Sequence, residues 1–341
     1  MPYIEPNTGV PPTDETADTS VVAIVVSWNS GEWLIPTVRA LTLQSHRNIR
    51  IVVWDNASTG GTLAALEQIE TDFPEVRVVR SLVNLGFAGG NNRAALVYPD
   101  TAFILTVNPD AVLDPDCVRL LLNVAIADPT CAAMGVTQVS PDGRHFDGIG
   151  DCYNPSGIAW RAMNRRPARS LKSSPREIFS PCAAIALYRR DAFTACGGFD
   201  EDFFCYLEDV DLGFRLRLAG WHCLHVPNAR AAHLGASATG RRSDFSAYHG
   251  HRNMIWVFCK NMPGALFWLF LPLHLVANVL SIAALVIRGQ PGVAYRAKKD
   301  ALQSLPAMFR KRFQIQRARR VSGYDILRKL SFGLQSGEMF S

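Results

Sequence analysis

The sequence is poor in the features that mark several large protein classes. No two of its eight cysteines form a C-x-x-C pair, and no cysteine spacing matches a zinc site. Cysteines scattered among apolar residues are typical of proteins that fold in a reducing cytoplasm. Residues 1–20 contain no apolar run, so no signal peptide is expected and residues 1–19 are predicted to form a disordered leader.

A net positive charge is also missing from most of the chain. The 341 residues have a net charge of +5, but those from Arg288 onward hold 12 Lys/Arg against 3 Asp/Glu, which is +9. Residues 1–287 therefore hold 23 Lys/Arg against 27 Asp/Glu, which is −4. Because a nucleic-acid-binding body would be basic, nucleic acid is excluded as a partner, and the positive charge belongs to the tail.

Predicted strands and helices alternate along the chain. Short β-branched or apolar runs predict buried strands at residues 21–27, 49–54, 76–79, 102–107 and 183–188. Helical spacing predicts helices at residues 32–43, 63–70, 91–96 and 207–218, whereas residues 131–176 are expected to be irregular. This alternation favours an α/β fold with a mostly parallel sheet, in which ligands bind beyond the carboxyl ends of the strands.

The last third contains one long apolar segment. Gly264–Ile287 carries no formal charge with His274 neutral and is long enough to span a bilayer, although Pro272, His274 and Asn278 weaken that interpretation. The basic tail follows directly, and anionic cytoplasmic lipid attracts such segments. Membrane contact is therefore predicted, with surface or re-entrant insertion favoured over a span. A buried pair of helices that closes the domain is the alternative.

Two acidic segments could carry chemistry. NPD at residues 108–110 follows a predicted strand, and a carboxylate there can hold Mg²⁺ or Mn²⁺ together with a diphosphate. An ordinary proline turn is the simpler explanation. EDVD at residues 208–211 stands near the start of a predicted helix, where acids interact favourably with the helix dipole. The same carboxylates would also suit a general base that deprotonates an acceptor hydroxyl.

Three further segments are candidates for binding. The glycines of NLGFAGGNN at residues 84–92 would let backbone N–H groups approach a phosphate, or would simply form a tight strand-to-helix turn. Asp55, after the second strand, could accept the imide N–H of uracil or thymine, or form an Asx turn. His233, with Gly235 and Ser237, could be a ligand, although a lone histidine is more often structural.

Together and in this order, these segments resemble family 2 glycosyltransferases of the GT-A fold. The resemblance covers residues 21–251 and includes VVSWNS at 25–30, WDNASTGGT at 54–62, NLGFAGGNN at 84–92, VNPDA at 107–111 and HLGAS at 233–237. Its most specific element is GGFDEDFFCYLEDVDLGFRLRLAGW at 197–221. NLGFAGGNN, and HRN at 251–253 before an apolar segment, resemble the rhamnosyltransferase-like branch, which uses dTDP-L-rhamnose.

The resemblance implies roles for the matching positions. Asp110 would be the surviving acid of the DXD motif and would bind Mg²⁺ or Mn²⁺ and the donor diphosphate, with His233 completing the metal site. Asp55 would bind the nucleobase. Asp209, beside Glu208, would be the general base that takes the proton of the acceptor hydroxyl. The other implied donor-binding residues are Ser27, Asn29, Asn84, Gly86, Asn91 and Asn108.

The resemblance also implies a reaction and a setting. The acceptor oxygen would attack the anomeric carbon with inversion while Asp209 takes its proton, and the nucleotide diphosphate would leave. Residues 20–250 would be the GT-A domain, with a nucleotide-sugar half (20–130) and an acceptor half (131–250), followed by an apolar helical segment and basic tail (251–341). We hypothesise a polyprenyl-linked saccharide acceptor at the cytoplasmic face of the inner (plasma) membrane, with the protein peripheral or partly inserted, in cell-surface polysaccharide assembly.

Other functions remain open on the sequence alone. The donor could be another UDP-, GDP- or dTDP-sugar, carrying a hexose or galactofuranose. A nucleotidyltransferase would need a glycine-rich basic loop after the first strand, where WNSGE stands at residues 28–32. A non-catalytic, sugar-nucleotide-binding membrane scaffold is a further alternative, against which the intact Asp110, Glu208 and Asp209 argue.

Overall fold

The chain folds around one large sheet. The computed structural model describes Thr16 and residues 18–168, 171–233 and 243–333. Most of the predicted leader, residues 234–237 of the HLGAS segment and residues 334–341 of the basic tail lie outside these described residues.

The strands fall into a parallel group and a mixed group. Within the described residues they are β1 (Val21–Ser27), β2 (Ile49–Asp55), β3 (Arg77–Arg80), β4 (Phe103–Val107), β5 (Ala111–Leu113), β6 (Cys131–Val139), β7 (Phe146–Gly148), β8 (Asp151–Tyr153), β9 (Ala159–Arg161), β10 (Arg176–Ile178), β11 (Ile185–Arg189) and β12 (His222–His233). The sheet order in this part of the chain is β10-β12-β6-β11-β4-β1-β2-β3. β5 pairs with β12, β7 pairs with β6, and β8 and β9 form a separate antiparallel pair.

The pairing brings several strand ends to one edge. β3, β2, β1 and β4 are parallel neighbours. β11 is antiparallel to both β4 and β6, and β12 is parallel to β6. β6 and β12 therefore point the same way as β1, β2 and β4. The carboxyl ends of these five strands lie along one edge, which is where an open α/β sheet binds its ligands.

Helices cover both faces of the sheet. They are α1 (Leu34–Thr42), α2 (Gly61–Asp72), α3 (Gly86–Ala95), α4 (Cys117–Ala127), α5 (Arg190–Ala195), α6 (Glu208–Leu218), α7 (Asp244–Asn261), α8 (Gly264–Ile287), α9 (Pro291–Gln303), α10 (Leu305–Ala318) and α11 (Gly323–Leu327). Successive β1 side chains point to opposite faces, so Val21, Ala23 and Val25 join the core under α1, α2 and α4. Val22 and Ile24 join the core under α3, α5 and α6.

A third core joins the carboxyl-terminal helices to α6. Phe214 of α6 and Phe258 of α7 are fully buried members of it, together with residues of α8, α9, α10 and α11. Lys260 of α7 is 2% exposed and lies 2.5 Å from Asp200 and 2.8 Å from Asp211 of α6. A buried cation of this kind needs both carboxylates, so α7 is fixed firmly against α6.

Most predicted elements are confirmed, with informative exceptions. Strands β1, β2, β3, β4 and β11 and helix α6 lie where the pattern places them, and α3 begins earlier than predicted, at Gly86. The expected irregular structure is wrong for Cys131–Val139, which is the fully buried strand β6. Its alanines and glycine have low strand propensity, but burial on both faces of the sheet overrides that preference.

The apolar segment forms a single helix, α8. The alternative of a buried pair of helices is wrong, because Gly264–Ile287 runs as 24 helical residues. Only 28% of its most apolar 18-residue window, with mean hydropathy 2.2, is buried. Within the described residues this is the one helix whose length and composition would let it cross a membrane.

Candidate active site

The first part of the site joins the ends of β1 and β2. The Thr59 N–H donates to Asn29 Oδ1 at 2.9 Å, and the Asn29 N–H donates to Ser58 Oγ at 2.9 Å. Asn29 has a φ of 51°, a left-handed conformation that asparagine tolerates. At the buried end of β1, Ser27 Oγ donates to Ser30 Oγ at 3.1 Å. The loops that follow the two strands are therefore locked together.

Asp55 ends β2 and has one unused acceptor. Its Oδ2 accepts the N–H of Ser58, three residues further along the chain, at 3.2 Å, so the side chain stabilises the local turn without closing the two-residue Asx turn. Its Oδ1 is buried and has no hydrogen-bond partner within the described residues. Buried acceptors are normally satisfied. This oxygen can therefore accept an N–H from a ligand, such as the imide of a pyrimidine base.

The glycines of residues 84–92 are explained by close packing. Asn56 Nδ2 donates to the Gly86 carbonyl at 2.9 Å, which ties the end of β2 to the start of α3. Gly86 has a φ of +70°, and a Cβ there would lie 2.4 Å from the Phe204 carbonyl oxygen. A Cβ on Gly90 would lie 2.8 Å from Val26 Cγ1. Both glycines thus allow α3 to approach its neighbours closely.

The asparagines of the same segment are engaged with backbone. Asn84 Oδ1 accepts the Gly86 N–H at 2.8 Å. Asn91 is 1% exposed, and within the described part of the chain its Oδ1 has no hydrogen-bond partner. Asn92 Nδ2 donates to the Phe199 carbonyl at 2.8 Å, and Asn92 Oδ1 accepts the Phe199 N–H at 3.0 Å. α3 is therefore attached to the segment that leads into α6.

The second part of the site follows β4 and β12. His233, the last residue of β12, has its Nε2 3.4 Å from Asp110 Oδ1 and 3.2 Å from Asn108 Nδ2. Its Nδ1 lies 2.8 Å from Asp147 Oδ2 on β7. A carboxylate on the second ring nitrogen is what orients a metal-binding histidine. The structure thus brings Asn108, Asp110 and His233 together.

The charges around His233 favour its protonated form. Burial lowers the pKa of His233, but hydrogen bonds to Asp110 and Asp147 outweigh burial and raise the pKa above its ordinary value. Binding of a cation at Nε2 would displace this proton, as metal binding to histidine generally does.

A charged cluster on β7, β8 and β9 was missed by sequence reasoning. Arg161 lies 2.5 Å from Asp147 Oδ2, and Asp151, which is 8% exposed, accepts from Ser180 Oγ at 3.4 Å. Burial and the charge of Asp209 hold the pKa of Asp151 well above its ordinary value, against the opposing charge of Arg161. The available signal was the set of charged residues in the otherwise apolar and glycine-rich stretch 146–161.

The acidic pair opens α6. Asp209 Oδ2 accepts the Ala183 N–H at 3.0 Å, and Asp209 Oδ1 accepts the Val210 N–H at 2.8 Å. Burial raises the pKa of Asp209 although these hydrogen bonds oppose it. Burial and the charge of Asp209 raise the pKa of Glu208 well above its ordinary value, and Glu208 Oε2 has no partner among the described residues. A raised pKa makes a carboxylate a better proton acceptor.

The two parts of the site meet at residues 183–184. The Asn108 N–H donates to the Ala184 carbonyl at 2.7 Å, and the Ala183 N–H donates to Asp209. Asp110 stands two residues after Asn108. The strand-end residues and the α6 carboxylates therefore share one edge of the sheet.

The backbone before α6 is strained and held by α7. Phe204, Tyr206 and Leu207 have φ values of 64°, 69° and 65°, each of which costs about 1–3 kcal/mol for a residue other than glycine. Asn253 Nδ2 lies 3.1, 2.9 and 2.7 Å from the carbonyl oxygens of residues 203, 205 and 206. Arg252 donates to the carbonyls of residues 202 and 203. We call these contacts of Arg252 and Asn253 with residues 202–206 the clamp. Its sequence signal was HRN at residues 251–253.

The geometry favours a metal site whose ligands come partly from the protein and partly from a diphosphate over a site formed by protein ligands alone. Within the described residues, no group of three or more His, Cys, Asp or Glu side chains is arranged to hold a metal ion. Asp110 and His233 offer two ligands. Mg²⁺ needs only one or two protein carboxylates when substrate phosphates and water complete its coordination, so this pair fits a cation that arrives with a diphosphate.

The parallel strands with ligand groups at their carboxyl ends, joined to a mixed half that supplies acids from α6, define the GT-A fold, as predicted. A mannosyltransferase from Pyrobaculum calidifontis, solved in complex with GDP-Man and Mn²⁺, superposes with a TM-score of 0.53 at 16% identity. The match covers 87% of this chain and 85% of that one.

The sequence comparison then gives the family. The family model described as "Glycosyltransferase like family 2" matches residues 18–255, and the chain belongs to this family and is a glycosyltransferase. It is 31% identical over 255 residues to an N-acetylglucosaminyl-diphospho-decaprenol L-rhamnosyltransferase of Mycobacterium tuberculosis, covering 68% of this chain and 82% of the relative. It is 26% identical over 230 residues to rhamnosyltransferase WbbL of Escherichia coli, covering 62% and 83%.

Proposed function

We propose that this glycosyltransferase moves a sugar from a nucleotide-diphosphate donor to a saccharide hydroxyl with inversion. Our first choice of donor is dTDP-L-rhamnose. The observation that carries the proposal is that Asn108, two residues before Asp110, and Asp209 are held by neighbouring residues, Ala184 and Ala183, so that a diphosphate and a general base would be adjacent. The names of the two rhamnosyltransferase relatives support the choice of sugar.

The acids of α6 act on the acceptor. Asp209 takes the proton of the attacking hydroxyl, and the Ala183 N–H that it accepts at 3.0 Å fixes the orientation of its carboxylate. Glu208 lies beside it, its Oε2 has no hydrogen-bond partner among the residues that the structure describes, and it hydrogen-bonds the acceptor. The reaction is one displacement at the anomeric carbon, in which the new C–O bond forms as the bond to the diphosphate breaks.

The ends of β1 and β2 and the segment 84–92 hold the donor. Asp55 Oδ1, buried and unpartnered within the described residues, accepts the imide N–H of thymine. Ser27 and Asn29 shape the loops around the base. Asn84, Gly86 and Asn91 line the donor side through the start of α3. Asn108 lies beside the diphosphate.

Asp110 and His233 hold a divalent cation, Mg²⁺ or Mn²⁺. Two ligands with a carboxylate-oriented histidine fit a cation that the donor diphosphate completes. When bound, such a cation neutralises the charge that develops on the departing diphosphate. The Mn²⁺ in the mannosyltransferase complex supports this proposal.

The acceptor is a polyprenyl-linked saccharide. The M. tuberculosis relative is named for a decaprenol-linked acceptor, and the length and apolar composition of α8 would suit contact with a membrane. The protein acts at the cytoplasmic face of the inner membrane in cell-surface polysaccharide assembly. Residues 20–250 form the catalytic domain, with a donor half (20–130) and an acceptor half (131–250), and residues 251–341 attach it to the membrane.

Purified protein incubated with dTDP-, UDP- and GDP-sugars tests the proposal. We expect Mn²⁺-dependent thermal stabilisation and transfer to be strongest with dTDP-L-rhamnose. A preference for a UDP- or GDP-hexose or for a galactofuranose donor would replace rhamnose and leave the mechanism intact. Stabilisation without transfer to any acceptor would favour a non-catalytic, sugar-nucleotide-binding scaffold.

Two substitutions separate the roles of the acids. Asp209→Asn should abolish transfer while keeping nucleotide-dependent stabilisation, and Asp110→Asn should abolish the Mn²⁺ dependence of that stabilisation. Asp142→Asn, at a surface position with its side chain 54% exposed, is the matched control and should change neither. Full transfer by Asp209→Asn would overturn the assignment of the base.

A further inference from the structure

Helix α8 turns its polar side chains towards the protein. His274 is 3% exposed, stacks on Phe258 of α7 with ring centroids 4.0 Å apart, and lies with Nδ1 2.7 Å from the Ser156 carbonyl oxygen. Asn278 Oδ1 accepts from Lys298 Nζ of α9 at 2.6 Å. The polar residues that weaken a membrane interpretation in the sequence therefore do not face outward.

The opposite face of α8 is apolar and is exposed in the part of the chain that the structure describes. Six of its large side chains are between 55% and 86% exposed: Trp268, Leu269, Leu275, Val276, Val279 and Ile287. The surface continues onto exposed Phe309 of α10, whose ring contacts Phe267, and onto exposed Phe332, whose ring contacts Phe270. Apolar patches of this extent mark interaction sites.

Both ends of α8 are attached to α7. α7 ends at Asn261 and α8 begins at Gly264, whereas Gln290, just beyond the other end of α8, donates to Asp244 at the start of α7. α9 then packs on α7, with the Tyr248 hydroxyl 2.6 Å from Asp300. A spanning helix would carry α9 across about 30 Å of hydrocarbon, away from α7. α8 therefore lies flat along the domain.

The helices next to this face are basic. Residues 264–318 hold 8 Lys/Arg and 1 Asp/Glu. Arg288 at the end of α8 and Arg296 and Lys299 on α9 are exposed. An apolar helix face bordered by cations complements the surface of an anionic bilayer.

We propose that α8 inserts sideways into a single leaflet, with its outer side chains among the acyl chains and the cations of α9 and α10 on anionic lipid headgroups. The catalytic domain and α9–α11 then stay on the same side of the membrane. This inference deepens the membrane part of the proposed function and rests on it. It is tested without donor or acceptor, so its failure is distinct from a failure of the transfer reaction.

Flotation of the full chain with lipid vesicles tests the surface. We expect binding to phosphatidylcholine vesicles that contain phosphatidylglycerol, weakened by salt, and weaker binding to phosphatidylcholine alone. Leu269→Glu with Val279→Glu should lower partitioning by at least about tenfold. The matched control, Leu43→Glu with Leu96→Glu, changes side chains that are 62% and 64% exposed elsewhere in the chain and should bind as the wild type does.

Thermal unfolding of both double variants distinguishes a loss of vesicle binding from a loss of folding. Because the substituted positions are exposed, the melting temperature of each variant should be nearly that of the wild type. Equal flotation of the two double variants would overturn the proposal, as would a stable dimer in detergent-free buffer that Leu269→Glu with Val279→Glu converts to monomer.

The topology is tested in cells. Epitope tags at the two termini should be protected together from protease added to spheroplasts and digested together in inverted membrane vesicles. Cleavage of one tag only in spheroplasts would mean that α8 spans the bilayer, and would overturn single-leaflet insertion.

Discussion

Replacing Asn253 by alanine tests how the loop before α6 governs Asp209, the proposed catalytic base. The Asn253 side chain is fully buried, and its amide nitrogen lies within 3.1 Å of three carbonyl oxygens in this loop. Leaving buried polar groups unsatisfied costs about 1–3 kcal/mol of unfolding free energy. The loop would also lose the contacts at residues 203, 205 and 206 that support the left-handed backbone of Phe204, Tyr206 and Leu207.

The effect on activity follows from the position of the loop. Leu207 is the N-cap of α6, and Asp209 stands two residues later, so relaxation of the loop displaces Asp209. A misplacement of about 1 Å lowers a rate by roughly a hundredfold. We therefore expect kcat to fall by about tenfold to a hundredfold, with a smaller rise in the KM for the donor, because the loop packs on Gly86 of the proposed donor segment whereas Asp55 and Asp110 lie on other elements.

The assay is steady-state transfer combined with urea denaturation. Asn154→Ala is the matched control, because Asn154 is also buried, donates to the Ser331 carbonyl at 2.7 Å and accepts the Ser156 N–H at 2.9 Å, but does not contact the loop. It should lose similar stability and keep its kcat. If Asn253→Ala loses stability to the same extent and also keeps the wild-type kcat, the clamp is purely structural and our reasoning is refuted.

Three further substitutions probe stability. Lys260→Met should lower the unfolding free energy by about 1–3 kcal/mol in urea, because the buried Asp211 carboxylate loses one charged partner but keeps its ion pair with Arg215; a near-neutral result would contradict this. Burial lowers the pKa of Lys298 to about 8 from 10.5, so the unfolded state binds more protons between these values and the unfolding free energy of the wild type should rise with pH there. Lys298→Met should lack this rise. Parallel pH profiles of unfolding free energy for the wild type and Lys298→Met would contradict the role of Lys298. Gly86→Ala, with φ +70° and a backbone oxygen 2.4 Å from the new Cβ, should cost at least about 2 kcal/mol. Gly61→Ala, in open space, should stay within about 1 kcal/mol of the wild type in the same denaturation series.

Local sequence pattern was sufficient to predict the parallel strands β1, β2 and β4. β1 and β4 are buried along their whole length and β2 is buried at residues 51–53, so their sequences are mainly apolar runs that lead into polar residues. This located Ser27, Asp55 and Asn108 at strand ends. β12 (His222–His233) gave no such signal, since it mixes histidine, arginine and proline and exists because it pairs with β6.

The parts of the site that were missed depend on partners distant in sequence. Asp147 orients His233 from 86 residues away, and Asn253 reaches the loop at Phe203 across 50 residues. The charged residues of stretch 146–161 and the HRN segment marked the two positions, but neither signal identified the partner, because the fold brings that partner near. The position of Arg161 beside Asp147 could likewise be read only from the structure.

The contact of Gly86 with Phe204 has a consequence for engineering this enzyme. The start of α3 and the turn before α6 fit together so tightly that neither backbone can change shape alone, and Asn92 joins them a second time at Phe199. A chimaera that imports residues 84–92 from a relative should therefore import residues 199–207 from the same relative. The two segments behave as one exchangeable cassette, although more than a hundred residues separate them in the chain.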